Sequence, residues 1–307
     1  MKLKTLAIAI AVASVPFAAQ AELTSDFKVS GDVAVGYFDN GAGDTRFGGN
    51  GSEMILDAFE KVGGLTYFGH FEVNVAGATV LSNNIVEGSN DVVVTQPGQL
   101  RSDDMYVGVK GGFGTIKIGD TDNGCDTVDT GWVASDAFIS HSSGGCKAGD
   151  QNNITYSNTR GAVSYAASYS PDVDAGSAIA GKDSFAVGIK GKLGPAAVSL
   201  GYETDTSNGS NVVLGVSGKL GPVSLGIRMN QFEDNDANGE DTYVGYTANY
   251  AAGKNKLYLG VGDVSNNDTL FLGYQRALGA KTAFIAEFVD DDSLADTKVA
   301  IGLKHNF

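Results

Sequence analysis

The chain has 307 residues, with 36 acidic against 21 basic side chains and a formal net charge of −15. An acidic balance of this size argues against nucleic acid as a partner and favours cations. With 43 glycines, 12 tyrosines, 15 phenylalanines and only 5 prolines, the composition is β-rich rather than that of a disordered chain.

Residues 1–21 read as a cleaved export signal. Lys2 and Lys4 give a positive start, Leu6–Val15 a short apolar run, and Ala19-Gln20-Ala21 a small-residue cleavage site. The apolar run is too short to span a bilayer as a helix, and no later run reaches that length. The exported part, 22–307, is therefore expected to be either soluble or a β-barrel. Loss of the two signal lysines, with no acid, takes the net charge from −15 to −17.

From Phe27 onward nearly every segment alternates with period two. In Phe27–Phe38, Phe27, Val29, Val33, Val35 and Tyr37 share one face, and Lys28, Ser30, Asp32 and Ala34 the other. In 65–75, Leu65, Tyr67, Phe71, Val73 and Val75 oppose Thr66, His70, Glu72 and Asn74. This is the pattern of strands with one apolar and one polar face. Such segments fall at about 27–38, 53–60, 65–76, 104–110, 113–119, 152–158, 161–170 and 184–192. Eight more follow at about 196–203, 211–219, 222–230, 241–250, 256–263, 269–276, 281–289 and 297–307, for sixteen in all.

The connections alternate too. Tight Gly and Pro turns such as Gly194-Pro195 and Gly221-Pro222 take turns with long polar stretches at 39–52, 77–103, 120–151, 171–183, 204–210, 231–240, 264–268 and 290–296. Short turns on one side and long loops on the other are the signature of an outer-membrane barrel. A soluble sandwich would also alternate, but its core could not bury the Glu72, Glu203, Arg228, Glu287, Lys298 and Lys304 that share the polar face. Tyr37, Tyr165, Tyr169, Tyr202, Tyr250, Phe288 and Phe307 lie near strand ends, where interfacial girdles require aromatics. The expected fold is all-β: a 16-stranded antiparallel transmembrane barrel.

The stretch 120–151 carries both cysteines, the only tryptophan and several aspartates. A structureless connection this long is unusual unless it is functional. In an exported chain, Cys125 and Cys146 are expected to form a disulfide; a metal site there is disfavoured by the wide spacing. Trp132, Val133, Phe138 and Ile139 are expected to pack the loop against the wall rather than to line a solute path.

The segment 105–119 (MYVGVKGGFGTIKIG), with Asn152-Asn153-Ile154-Thr155-Tyr156 and the terminal Gly302-Leu303-Lys304-His305-Asn306-Phe307, resembles the trimeric general porins of Gram-negative outer membranes. The resemblance covers essentially the whole chain. It implies a homotrimeric diffusion channel for small hydrophilic solutes in the outer membrane, in contact with lipid and lipopolysaccharide and with no cofactor. It also implies that the third long loop, 120–151, folds into the lumen and that 77–103 latches onto a neighbouring subunit. In that family an arginine ladder on the wall faces acidic residues on the loop. Here Glu53, Asp120 and Thr155 occupy three of the matching ladder positions, and the usual Pro-Glu-Phe-Gly turn at the loop tip is missing.

A constriction rich in carboxylates concentrates cations and repels anions. The candidate constriction residues are Glu53, Asp57, Asp120, Asp122, Asp126, Asp129 and Asp136, with Lys117, Arg101 and Arg160 to restore part of a basic wall; Lys117 has lumen parity, whereas Arg101 and Arg160 sit near strand ends, where parity is open. The expected channel is cation-selective. Rival readings are a solute-specific porin, a non-conducting adhesive barrel, or a barrel enzyme, for which only His141 beside its serines offers a base. The acidic runs Asp290-Asp291-Asp292 and Glu233-Asp234-Asn235-Asp236 read as solvated external loops, with no calcium-loop spacing.

Overall fold

A computed structural model of the chain describes residues 24–39, 45–48, 52–75, 100–134, 138–139, 145–146, 151–171, 183–204, 209–234, 239–264, 267–292 and 297–307. The expected signal peptide, Asp136, His141 and most of the 77–103 connection lie outside them.

The strands are β1 (Thr24–Asp39), β2 (Thr45–Gly48), β3 (Glu53–Val62), β4 (Leu65–Val75), β5 (Leu100–Gly111), β6 (Gly114–Thr121), β7 (Gln151–Arg160) and β8 (Val163–Ser170). They continue as β9 (Ser184–Leu193), β10 (Ala196–Thr204), β11 (Ser210–Leu220), β12 (Val223–Asp234), β13 (Gly239–Ala252) and β14 (Asn255–Val264). The last three are β15 (Asn267–Ala277), β16 (Thr282–Asp291) and β17 (Lys298–Asn306). Each pairs antiparallel with its neighbour, and β17 returns to β1 in the register Asp32↔Asn306 to Asp39↔Val299. The sheet closes on itself and has no edge, so every strand can satisfy its backbone without water.

Seventeen segments make sixteen barrel positions. The piece β2 lies inside the expected 39–52 connection and pairs with the second half of β1, while β3 pairs with the first half. One wall position is thus shared by two segments. At the break, the Ser52 hydroxyl takes the place of a ladder partner by accepting the Ala34 N–H at 2.9 Å. A four-residue strand is too short to show alternation, which is why the sequence pattern misses it.

The two parities separate as the pattern predicts. On the outer face, Val107 is 62% exposed and Leu225 50%, as a lipid-facing band requires. Tyr37, Tyr169, Tyr250 and Phe307 are exposed on this face. On the inner face, Glu203, Glu287 and Lys298 are buried, so the polar side does not simply look at water. It is covered from within.

Candidate functional site

What covers it is the connection after β6. The strand ends at the buried Thr121, and the chain then turns inward instead of outward. Asn123 organises that turn: its Oδ1 accepts the backbone N–H of Cys125 at 2.7 Å and of Asp126 at 3.0 Å. These bonds lead into a short 3-10 turn, Asp126–Val128. Its Nδ2 donates to Glu203 on β10 at 2.9 Å.

From there the loop runs along the inner wall, hydrogen-bonded to one strand after another. Gly124 N–H donates to Ser168 on β8 (2.8 Å), and Thr130 N–H to Ser199 on β10 (3.1 Å). Thr130 Oγ1 meets Ser217 on β11 at 2.6 Å, and Val133 N–H donates to Thr247 on β13 at 3.0 Å. Further on, the Phe138 and Ile139 N–H groups both donate to Glu287 on β16, at 2.8 and 3.0 Å. Tyr258 donates to the other oxygen of Glu287 at 3.1 Å. Phe138 meets Phe38 of β1 edge-on at 5.4 Å. The returning segment is held at Gly145, whose N–H donates to Asn230 at 2.9 Å and whose carbonyl accepts from Asn211 and Asn230.

Glycines on the wall make this path possible. A Cβ at Gly188 would meet Val128, at Gly201 the Cys125 Sγ, at Gly215 the Thr130 carbonyl, and at Gly226 the Gly131 carbonyl, all well inside contact distance. The Trp132 ring lies over Gly260, at 2.9 Å from where a Cβ would stand. The expected packing role of Trp132, Phe138 and Ile139 is what the structure has: Phe138 and Ile139 are buried with Tyr258, Phe271 and Ile285. Cys125 and Cys146 form a disulfide with Cα atoms 5.9 Å apart. It joins the outgoing and returning segments at the wall, beside Ala186 and Val213. Closing a loop of 21 residues in this way stabilises by about 3 kcal/mol on loop-entropy grounds.

Within the described residues the loop thus lies against β7 through β17 and β1, and leaves the inner face of β3–β6 towards the lumen. That face holds Glu53, Asp57, His70, Glu72, Asp104, Tyr106 and Lys117. Glu53 sits among Asp32, Glu72 and Lys304. Asp57 Oδ1 is 2.8 Å from His70 Nδ1. The Lys117 ammonium stands over the Tyr106 ring at 4.2 Å and donates to Thr121 at 3.2 Å. From the loop, Asp122 is exposed, while Asp126 and Asp129 come together near the disulfide.

Two of the candidate residues, Asp120 and Arg160, and the matched ladder position Thr155 stand apart from the uncovered wall. Asp120 has the parity of the outward Ile118 and pairs with the outward Met105, so the alternation turns it away from the lumen. Arg160 ends β7 opposite Val163, one residue from a short turn, at the end of the barrel remote from the long loops. Thr155 is buried beneath the loop, donating to the Asp122 carbonyl at 3.0 Å. Of the three ladder positions, Glu53 alone faces the lumen beside the uncovered wall.

A cation also enters the site that was not among the candidates. Arg228 Nη2 lies 2.7 Å from Asp129, with 12% and 10% of the two side chains exposed. Alternation had placed Arg228 on the inner face, but nothing local pairs residues this far apart in the chain. Burial pushes the Asp129 carboxyl above its ordinary value of 3.8, and the Arg228 guanidinium opposes the shift without cancelling it. On β17, Lys304 is 2.7 Å from Asp32.

A closed sixteen-position barrel with a loop laid inside it defines a diffusion channel through an outer membrane. The chain belongs to the Gram-negative porin family, whose model it matches over residues 5–296. Solved structures with the same fold include a loop-deletion mutant of OmpT, an outer-membrane protein of Vibrio cholerae, at 16% identity and a TM-score of 0.70, covering 92% of this chain and 99% of that one. An anion-selective porin from Comamonas acidovorans aligns at 19% identity and a TM-score of 0.65, covering 92% of this chain and 100% of that one. OmpF of Salmonella typhi, in complex with daunomycin, aligns at 12% identity and 0.68, covering 92% and 97%. No curated protein matches the chain.

Proposed function

We propose that this porin is a cation-preferring, non-enzymatic channel for small hydrophilic solutes. The observation that carries the reading is the charge on the uncovered wall. Glu53, Asp57, Glu72 and Asp104 cluster on β3–β5 and Asp122 faces them from the loop, while Arg228 and Lys304 are held against Asp129 and Asp32. Lys117 remains on the wall, and Lys190 lies near Asp129, so the excess is acidic without being exclusive. In a narrow passage an acidic excess raises the local cation concentration. Catalysis has little to support it among the described residues: His305 is exposed on the outer face and bonded to Thr282, and His70 is held by Asp57.

A homotrimer in contact with lipid and lipopolysaccharide is the assembly we infer. It is supported by the family, by the trimer form in which the Vibrio cholerae OmpT is known, and by an apolar outer groove. Phe27, Leu56, Phe71, Met105, Val107 and Ile118 line that groove, on β1 and β3–β6.

Charge removal without a change of shape tests the reading. The double substitution Glu53→Gln/Asp57→Asn is expected to lower the potassium-over-chloride permeability ratio in planar bilayers several-fold at low salt, where the charges are least screened. Liposome swelling in small sugars should be unaltered. An unchanged ratio would remove the uncovered wall from the account.

A further inference from the structure

Beside the general charge of the lumen, one group on the uncovered wall has the organisation of a binding site. Three ligand atoms, from His70, Glu72 and Asp104, all lie within 4.8 Å of one another. They are brought together by the antiparallel register of β4 and β5, beside an irregularity in the sheet. Between β4 and β5 the register shifts, from Phe71↔Met105 to Val73↔Ser102, so two residues of β5 stand opposite Glu72. A bulge of this kind re-aims side chains. The register that pairs Phe71 with Met105 sets Asp104 opposite Glu72, two residues along the same face from His70, and the shift comes at that point.

The histidine is oriented from behind. Asp57 Oδ1 is 2.8 Å from His70 Nδ1, and a carboxylate only accepts, so Nδ1 carries the proton. The ring is also stacked on Tyr106 at 4.7 Å and 14°. That leaves Nε2 aimed at Glu72 Oε2, 3.5 Å away. A neutral imidazole would then present a lone pair to an anionic oxygen, with a second carboxylate alongside. Such a contact is unfavourable unless a cation lies between. The carboxylate–histidine pair behind an open nitrogen is the arrangement that fixes the tautomer of metal-ligating histidines.

We propose that His70 Nε2, Glu72 and Asp104 bind a divalent transition-metal ion of the zinc class, with Asp57 as the positioning residue and lumen water completing the shell. The mixed nitrogen and oxygen donor set suits zinc better than magnesium or calcium, which favour oxygen alone. With metal–ligand bonds of about 2.1 Å, ligands sit about 3.4 Å apart, so small side-chain rotations close the observed spacing. An ion held there would stand in the passage and slow the current of other cations. The inference does not depend on the channel's ion preference.

The test is zinc titration of the purified, assembled protein by calorimetry. One zinc per chain is expected, weakened at least tenfold by His70→Ala and about 10–100-fold by Asp57→Asn. An excess of magnesium should not displace it. If His70→Ala fails to assemble, cobalt added to the wild-type protein decides, through the visible absorption of a nitrogen-ligated, low-coordinate ion. Absence of stoichiometric zinc binding, insensitivity to His70→Ala, equal competition by magnesium, or a purely aqueous cobalt spectrum would each overturn the site and leave His70 as an imidazolium between carboxylates.

Discussion

Asp129 and Arg228 meet on the inner wall with only about a tenth of either side chain in contact with solvent. Removing one partner from such a pair leaves a poorly hydrated charge, which costs about 3–5 kcal/mol when burial is complete and somewhat less here. Because burial raises the Asp129 carboxyl above 3.8, the folded protein holds that proton more tightly than the unfolded chain. The stability linked to it is present in full below 3.8 and is lost as pH rises through the raised value. Permeation should respond in the same window. As pH falls through the raised value, Asp129 is neutralised and the Arg228 charge is left in the lumen, so cation preference declines before ordinary carboxylates titrate. In Asp129→Asn that step is absent and the preference is already low at neutral pH. Reversal potentials measured against pH check this; superimposable profiles for wild type and variant would contradict it.

At the scale of elements, the infolded loop is held less by its own structure than by what the strands leave out. Gly188, Gly201, Gly215 and Gly226 form a track on β9–β12 into which the loop backbone settles. A side chain at Gly215 or Gly226 would collide with main chain, which cannot swing aside, and one at Gly188 or Gly201 with the Val128 side chain or the disulfide. Gly215→Val is expected to weaken the seating of the loop by about 1–3 kcal/mol, the usual cost of overpacking, and to raise open-channel current noise. Gly69→Val, where a Cβ meets open space, should record as quietly as wild type. Equal noise in the two variants would mean that the track does not hold the loop. The sequence displays these glycines but not their purpose. Strand alternation is a local pattern, so the inward parity of Glu203, Arg228 and Glu287 can be read directly. Which of them the loop covers depends on contacts such as Phe138 with Glu287, 149 residues apart, and leaves no local trace. The expectation for Asp120 has a different basis from these: it comes from a matched place in a family ladder, whereas its own strand gives it the parity of Ile118.

For the whole molecule, the closed barrel was legible because its rules are those of a bilayer: apolar outward, polar inward, short turns at one end and long loops at the other. The expected disulfide and the inward fold of 120–151 belong to the same reading and are present in the structure. Less legible was the electrostatic plan of the lumen. The loop hides most of the wall, so net charge along the chain does not give the charge a permeating ion meets. What counts is the uncovered part, where Glu53, Asp57, Glu72 and Asp104 outnumber Lys117. The most direct test is the zero-current potential of the wild-type channel across a tenfold potassium chloride gradient in a planar bilayer. The account predicts a potential of the sign set by potassium, shrinking as total salt rises and screening sets in. A potential of the sign set by chloride would contradict it.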